Sequence, residues 1–276
     1  MIKIGFIDYY LDEWHANNYP ELIKKESGGE MVVCYAYGKI DKPDGMTNKE
    51  WAEKNNVELL DSIEEVCEKS DRIIVLSPDN PEMHEELCAI PLRSKKLVYV
   101  DKTFAPDRKT AEKIFAIAEE SGTKCYSSSA LRFSTELSLI DKDNIHAIHS
   151  EGPGTYEMYS IHQIEPIVCL MQCRAKEVMF TGSECHPAMT IRFEDGRCAY
   201  MHQSMELGFR LSIDDKDNNG KVYNIESDFF ALFIKNLVEF FEKGEVSVAH
   251  SQTIDVIAIR EAGLKAMSTP FKWVQV

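Results

Sequence analysis

A lysine at the end of an apolar run is the residue in this sequence best suited to chemistry. Lys102 follows the run Leu97-Val-Tyr-Val100 and stands between Asp101 and Thr103. Apolar, β-branched and aromatic residues in such a run are typical of an inner strand of a parallel sheet. Ligands of open α/β sheets bind outside the carboxyl ends of the strands. There, Lys102 can accept a hydroxyl proton from a substrate, or it can simply pair with Asp101.

Strands and helices alternate through the first half of the chain and place Lys102 at a sheet edge. Strands are predicted at 2–7, 30–37, 72–77, 97–100 and 124–127. Helices are predicted at 61–69 with Asp61 as the N-cap, from Pro81 onward, and at 107–121 with Gly122 as the stop. This alternation predicts a Rossmann-like, doubly wound parallel sheet.

The rhythm of the sequence changes at about residue 130. A helix at 160–173 is followed by segments of antiparallel character at 177–182, 188–193, 198–203, 209–213 and 222–225. Two helices, at 229–243 and 252–267, close the chain. We therefore expect an α/β protein of two domains. Residues 1–129 form the dinucleotide-binding type of domain, and residues 130–276 form a second α+β domain with an open, mainly antiparallel sheet.

The composition narrows the classes of partner. The 276 residues carry a net charge of −15, which disfavours nucleic acid and anionic membrane as partners. No run approaches the ~18 apolar residues of a membrane span, and no signal peptide is visible, so a cytoplasmic protein is expected. The eight cysteines include no Cys-x-x-Cys pair, and disulfides are not expected. The polar segment from Asp214 to Gly220 lacks the terminal glutamate of a calcium loop, and no metal site is predicted.

Several segments, taken in order, resemble one known family. The segments are Asp71-Arg-Ile-Ile-Val-Leu-Ser-Pro-Asp-Asn-Pro-Glu-Met-His84, Lys96-Leu-Val-Tyr-Val-Asp-Lys-Thr103, Leu131-Arg-Phe133 and Ile259-Arg-Glu-Ala-Gly-Leu-Lys-Ala-Met-Ser268. The first is similar to a strand, a threonine-proline turn and a helix-starting histidine, and the second to a Glu-Lys-Pro segment. The third is similar to the arginine-phenylalanine pair that leads into the second domain, and the fourth to the last helix. In this order they resemble the glucose-fructose oxidoreductase / inositol dehydrogenase (Gfo/Idh/MocA) family.

This resemblance implies hydride transfer between NAD or NADP and a sugar, a polyol or a related small molecule. Lys102 matches the lysine that handles the proton, and His162 matches the histidine of the second domain that works with it. The family's aspartate four residues before that histidine falls on Met158. The positions implied for the cofactor are Asp8, Tyr10, Ser77, Pro78, Asn80, His84 and Asp101, with His84 as a packing residue in the competing interpretation. A homo-oligomer formed through the open sheet is also implied.

The loop after the first strand departs from the dinucleotide pattern. A Gly-x-Gly-x-x-Gly loop lets the backbone approach a pyrophosphate, but Asp8 and Tyr10 occupy the glycine positions here. Asp12 and Glu13 add negative charge, which opposes a phosphate. The second strand ends in Cys34-Tyr-Ala-Tyr37, without the acid that binds ribose hydroxyls.

Three interpretations therefore remain open for the function. The first is an NAD(P)-dependent oxidoreductase that holds its cofactor in an altered way, through Ser77, Pro78, Asn80 and Lys102. The second is a cofactor-free protein that binds, regulates, or works as a lyase or isomerase with Lys102 and His162. The third is a structural partner subunit, since the resemblance implies an open sheet face that forms oligomers. The first interpretation depends on analogy, because a fold does not fix a function.

Overall fold

The computed structural model describes residues 1–183 and 185–276, and the chain divides into two compact units. The first unit comprises Met1–Ser128 and Phe233–His250, and the second comprises Ser129–Leu232 and Ser251–Val276. Each unit is built on its own sheet. None of the helices in the described ranges is both long enough and apolar enough to cross a membrane.

The first unit contains a six-stranded parallel sheet. Its strands are β1 (Ile2–Asp8), β2 (Met31–Gly38), β3 (Glu58–Leu59), β4 (Arg72–Val75), β5 (Leu97–Val100) and β6 (Cys125–Tyr126). Its helices are α1 (Trp14–Glu26), α2 (Asn48–Asn55), α3 (Ile63–Lys69), α4 (His84–Cys88) and α5 (Arg108–Ser121). The strand order is β3-β2-β1-β4-β5-β6. This is the doubly wound order: strands are added on one side of β1 up to β3, and on its other side from β4 onward. A ligand crevice is expected at this switch point between β1 and β4.

The central strands are held by buried apolar side chains. Ile4, Phe6 and Ile7 of β1 are fully buried. Burial of each such side chain stabilises the fold by about 1.5–3 kcal/mol relative to its exposure. Gly5 lies between them, and a Cβ there would collide with Ser70 Oγ and lie 2.5 Å from Val66 Cγ1. Gly5 therefore permits the close approach of α3 to β1.

The second unit contains a seven-stranded mixed sheet. Its strands are β7 (Ile145–Gly152), β8 (Ala175–Phe180), β9 (Ala188–Phe193), β10 (Cys198–Gln203), β11 (Arg210–Asp215), β12 (Gly220–Asn224) and β13 (Trp273–Gln275). The order is β12-β11-β7-β10-β9-β8-β13, and only β7 and β10 pair in parallel among the described strands. The second unit also contains α6 (Thr135–Ser138), α7 (Tyr156–Met171) and all but the first residue of α9 (His250–Met267), whereas α8 (Phe229–Lys243) belongs to the first unit from Phe233 onward. The predicted fold class, a Rossmann-like parallel sheet with a mainly antiparallel second sheet, is confirmed.

The element boundaries differ from the predictions in a few places. The N-cap of α3 is Ser62, whose Oγ accepts the Glu65 N–H at 3.2 Å, so the prediction of Asp61 as N-cap was wrong. The segment from Pro81 begins as a 3-10 turn and becomes α-helical only at His84. Helices α1, α2 and α6 and strands β3, β7 and β13 have no counterpart among the predicted elements. Helix α1 lacks a common N-cap residue and contains Pro20, and both features hide it in the sequence.

Candidate active site

The carboxyl edge of the parallel sheet brings two buried carboxylates into one row. Ile7 pairs with Val75, and Val75 pairs with Val100. The next residues along these strands include Asp8 after Ile7 and Asp101 after Val100. Both aspartates are only 1% exposed. The edge on which ligands bind in this type of sheet therefore carries two carboxyl groups that are shielded from bulk water.

Asp101 is held in place by two tyrosine hydroxyls. Its Oδ1 accepts from Tyr19 Oη of α1 and from Tyr99 Oη of β5, each at 3.3 Å. Its backbone N–H donates to Val75 O at 2.8 Å, and its carbonyl accepts from Ser127 Oγ at 3.3 Å. Oδ2 has no hydrogen bond and lies 3.9 Å from His15 Nδ1. The carboxylate is thus fixed with one oxygen turned toward His15.

The backbone amides of the loop after β1 are occupied by the chain itself. The Tyr9 N–H donates to Asp8 Oδ1 at 2.7 Å, and the Leu11 N–H donates to Asn48 Oδ1 at 3.0 Å. The Glu13 N–H donates to the Leu11 carbonyl at 2.9 Å. In a dinucleotide site, amides of this loop point at the pyrophosphate. Here they stabilise a loop built without the glycines.

Glu13 occupies the N-terminus of helix α1. Its side chain is 5% exposed. Oε2 accepts the His15 N–H at 2.7 Å, and Oε1 accepts the Ala16 N–H. The first amides of a helix and its dipole favour one negative group at this end. In this protein the carboxylate of Glu13 is that group.

His15 is joined to Glu13 by its ring as well as by its backbone. Nδ1 lies 3.0 Å from Glu13 Oε2, and the side chain is 12% exposed. The Tyr19 ring packs edge-on against the imidazole at a centroid distance of 5.2 Å. Burial lowers the pKa of His15, but the charges of Asp101 and Glu13 outweigh burial and raise the pKa above its ordinary value. The positive charge of Lys102 acts against this rise in the pKa of His15.

The surroundings of Asp8 disfavour the charged form of its carboxyl group. Burial raises the pKa of Asp8 well above its ordinary value, and the charges of Glu13 and Asp101 raise it further. Hydrogen bonds from the Tyr9 and Tyr10 amides act in the opposite direction. Oδ2 of Asp8 has no hydrogen-bond partner. Asp8 is therefore held as a neutral acid over part of the pH range in which exposed aspartates are charged.

The residues predicted from the sequence for this edge have different surroundings. Lys102 is half-buried, directly after Asp101. Ser77 is buried with φ of 82°, and its Oγ donates to the Asn80 carbonyl at 3.0 Å. Pro78 is buried and Asn80 is half-buried. These residues lie in the segment after β4, so the structure does place them at the carboxyl edge. Their roles in binding stay predictions.

His84 and Tyr10 are engaged within the first unit. Both ring nitrogens of the fully buried His84 face backbone carbonyls, Nδ1 that of Phe104 at 3.0 Å and Nε2 that of Leu76. Burial lowers the pKa of His84. Its ring links the end of β4 to the segment after β5, which agrees with the packing interpretation. Tyr10 is half-buried, and Lys42 Nζ lies 5.6 Å from its ring centre.

A pyrophosphate does not fit at the start of α1 in this arrangement. The His15 and Ala16 amides already bind Glu13, and the Tyr9 amide already binds Asp8. A diphosphate there would also meet the carboxylate of Glu13, and like charges repel strongly where water is excluded. The loop thus lacks the glycines of a dinucleotide site, and the Glu13 carboxylate occupies the amides that would bind an anion.

His162, the predicted site histidine of the second unit, has several side-chain contacts. It belongs to α7, and its Nδ1 lies 2.7 Å from Ser129 Oγ. The rings of Tyr159 and Phe209 lie 5.5 and 6.0 Å from its own. Met158, at the position of the family's aspartate, is 54% exposed. A proton-handling role for His162 stays a prediction.

A buried ion pair lies one helical turn from His162. Glu165 Oε1 accepts from Arg132 Nη1 at 2.6 Å, and the two side chains are 3% and 8% exposed. Gln252 Oε1 accepts from Arg132 Nη2. Glu165 is therefore buried and paired with Arg132. In the polar segment from Asp214, Asp215 Oδ1 accepts the amides of Asp217 and Asn219, and no described residues form a metal-binding cluster.

Glu13 and His15 are the site residues that the sequence did not reveal. Glutamate is an uncommon N-cap, so Glu13 stood out only as part of an anionic loop. His15 is 86 positions from Asp101, and no spacing rule joins the two. The available signal was a histidine in the first turn after the loop that should carry the glycines.

The protein is similar in structure to several solved dehydrogenases. A probable dehydrogenase from Thermotoga maritima has a TM-score of 0.80 at 14% identity, covering 99% of this chain and 98% of that one. The fold is that of these dehydrogenases. A myo-inositol dehydrogenase from Corynebacterium glutamicum has a TM-score of 0.77 at 14% identity, covering 100% and 98% of the two chains. The WlbA dehydrogenase from Bordetella pertussis, solved with NADH and UDP-GlcNAcA, has a TM-score of 0.75 at 12% identity, covering 100% and 98%.

The sequence itself matches no family model and no curated protein. The resemblance to inositol and sugar dehydrogenases seen in the sequence is therefore confirmed in the fold, at identities of 11–15% among the neighbours. At this distance the fold alone is shared. The chemistry has to be argued from the site.

Proposed function

We propose that this protein carries out acid–base chemistry on a sugar, a polyol or a related hydroxylated small molecule, without a dinucleotide bound at helix α1. The single observation that carries the proposal is the occupation of the His15 and Ala16 amides by the Glu13 carboxylate. The class of substrate is supported by the shared fold with inositol and sugar dehydrogenases.

Lys102 is the residue to which we assign contact with the substrate. It directly follows β5, on the edge where doubly wound sheets bind their ligands. Its ammonium group can stabilise a developing oxyanion or exchange a proton with a hydroxyl group. Asp101, fixed by Tyr19 and Tyr99, anchors the segment from which Lys102 projects. For His162 we propose proton handling on the strength of the family resemblance, with Ser129 orienting its ring.

A second candidate is an NAD(P)-dependent oxidoreductase acting on the same class of substrate. Its support is the fold shared with structures solved with NAD or NADH. Ser77, Pro78, Asn80 and Asp101 would then contact the cofactor away from the pyrophosphate. This candidate requires Glu13 to release the amides of α1, so dinucleotide binding separates it from the first.

The proposed function is tested by ligand-induced stabilisation. A panel of aldoses, ketoses and inositols is screened by thermal shift, since any ligand that binds the folded state raises its stability. We expect a member of this panel to stabilise the wild-type protein, Lys102→Ala to lose at least about half of that stabilisation, and Lys109→Ala to keep it. Lys109 is a suitable control because it is an exposed lysine in the first turn of α5. A panel without any stabilising member would contradict the proposal.

A further inference from the structure

The first unit contains a histidine whose two ring nitrogens are in opposite situations. Nδ1 of His15 lies 3.0 Å from Glu13 Oε2 and 3.9 Å from Asp101 Oδ2. In the part of the chain that the structure describes, Nε2 has no hydrogen-bond partner. A ring nitrogen between two carboxylate oxygens keeps its proton, so Nδ1 carries the N–H and Nε2 carries the free lone pair. The His15 side chain is 12% exposed, so part of it remains accessible to solvent.

A carboxylate that orients a histidine in this way is the arrangement found in general acid–base catalysis. It fixes the tautomer and the ring direction, and it stabilises the imidazolium that forms when Nε2 accepts a proton. Structural histidines differ, and His84 of the same unit is an example, because both its nitrogens are bonded to backbone carbonyls. The geometry of His15 is that of a group left available on one side.

The position of His15 makes this availability useful. It lies in the first turn of α1, after the loop that follows β1, and Asp101 of the β5 edge faces it. Lys102 is the residue that follows Asp101, and its positive charge lowers the pKa of His15. Two carboxyl oxygens at the same sheet edge, Oδ2 of Asp8 and Oδ2 of Asp101, are buried without hydrogen bonds. This is unusual, because buried polar atoms in proteins normally have a hydrogen-bond partner. A base, a cation and two unsatisfied acceptors therefore share one sheet edge.

We propose that His15, oriented by Glu13, is the general base of the first unit and acts with Lys102 on hydroxylated carbonyl compounds such as keto sugars. This inference rests on the proposed function and names the residue that moves the proton. Nε2 takes a proton from the carbon that bears a hydroxyl group next to the carbonyl. The C–H electron pair forms a C=C bond, and the carbonyl π electrons move to oxygen. Lys102 stabilises that oxyanion, and the proton returns to carbon from the imidazolium, so no oxidant or reductant is needed.

The test is exchange of a carbon-bound proton for deuterium, followed by ¹H NMR in D₂O. The probes are dihydroxyacetone and D-fructose, together with any keto sugar found in the thermal-shift panel. We expect the wild-type protein to catalyse exchange and His15→Gln to reduce its rate by about 100-fold or more, the usual loss for a general base. His146→Gln, a change of an exposed histidine in β7, should leave the rate unchanged.

The pH profile distinguishes a base from a residue that only supports the fold. Exchange needs neutral His15, so the rate should rise with pH, with a midpoint above the ordinary histidine value of about 6.5. The groups facing the ring are Glu13 and Asp101, which favour its charged form, and Lys102, which disfavours it. Glu13→Gln removes the charge and keeps one of the two acceptor oxygens at the start of the helix, so it should move the midpoint to lower pH.

Each result has a separate meaning. Exchange that survives in His15→Gln, or a profile that Glu13→Gln does not move, would overturn the role of His15 and leave the proposed function standing. Wild-type protein that binds a keto sugar and shows no exchange would also overturn this inference. A protein stabilised by no sugar in the panel would contradict the proposed function, and with it the inference that depends on it.

Discussion

Glu13 holds His15 twice, accepting its backbone N–H at 2.7 Å and facing its ring Nδ1 at 3.0 Å. The same carboxylate therefore caps helix α1 and orients the imidazole. In the dehydrogenase fold, the start of this helix is a place where a pyrophosphate can bind, because free amides and the helix dipole favour an anion. An internal carboxylate there removes the need for an external one. It also gives the neighbouring histidine a defined tautomer.

The buried acid Asp8 should make stability depend on pH in a specific direction. The folded-state pKa of Asp8 is raised, so its contribution to stability is present below the unfolded value of about 3.8 and is lost as pH rises through the folded value. Asp8→Asn should therefore raise the melting temperature at pH 8 by about 2–4 °C, which corresponds to about 1 kcal/mol. The gain should shrink as the pH is lowered toward 4, measured by thermal unfolding across pH.

Asp12 is the matched control in the same loop. Burial raises the pKa of Asp12, but hydrogen bonds from the Met46 amide and Asn17 outweigh burial and leave the pKa below its ordinary value. Asp12→Asn should therefore lower the melting temperature at pH 8, the opposite sign. A loss of stability in Asp8→Asn that is equal at pH 5 and pH 8 would show that Asp8 is not under electrostatic strain.

Gly5 should be intolerant of a side chain because of packing. A Cβ at this position would collide with Ser70 Oγ and lie 2.5 Å from Val66 Cγ1, so α3 would have to move away from β1. Gly5→Ala should cost about 1–3 kcal/mol in urea unfolding, as overpacking of cores does. Gly208, which has open space around it and no positive φ, provides the comparison. Equal stabilities of Gly5→Ala and Gly208→Ala would contradict the close approach.

The buried pair Arg132–Glu165 should matter far more than an exposed pair. Glu165→Ala leaves a guanidinium that is 8% exposed without its carboxylate, and such a loss costs about 3–5 kcal/mol. The exposed pair Lys49–Glu53, at 4.0 Å, offers a control in which Glu53→Ala should have no clear effect on unfolding. A double change of Arg132 and Glu165 to leucine should recover part of the loss. If Glu165→Ala unfolds like the wild type, the pair is not structural.

We expect a homo-oligomer to form through the second sheet, as the family resemblance implies, on the face that carries His149 and the exposed Tyr200. His149 and Tyr200 stack there with ring centres 4.7 Å apart, and Tyr200 is 39% exposed. Light scattering after size exclusion should give the mass of a multimer, and Tyr200→Lys should lower that mass. Met158→Lys, an exposed change on α7, should not. A wild-type monomer at micromolar concentration would contradict this expectation.

The sequence was informative where local patterns decide the structure. The apolar run before Lys102 predicted the strand and the edge position, and Gly122 marked the end of α5 with φ of 69°. The replacement of glycines by Asp8 and Tyr10 indicated a disturbed phosphate loop. These features depend on neighbours a few positions away, which a single sequence displays.

The sequence was silent where distant residues meet. The approach of Asp101 to His15 depends on the pairing of strands β1, β4 and β5, which no spacing encodes. The Glu13 cap uses a residue type that rarely caps helices. Likewise, Arg132 and Glu165 are 33 positions apart, and no spacing in the sequence predicts that they pair.

The central claim is that the chain's own carboxylate fills the anion site at the start of α1. The most direct test is titration of the wild-type protein with NAD(H) and NADP(H), monitored by NADH fluorescence and by thermal shift. A ligand present at about 100 times its dissociation constant stabilises a protein by about 2.7 kcal/mol, so at about 1 mM a dissociation constant of about 10 μM would give a clear shift. We predict no fluorescence change with NADH or NADPH, and no thermal shift at about 1 mM of any of the four. Saturable binding with a rise in melting temperature would contradict the claim and establish the dinucleotide-dependent alternative.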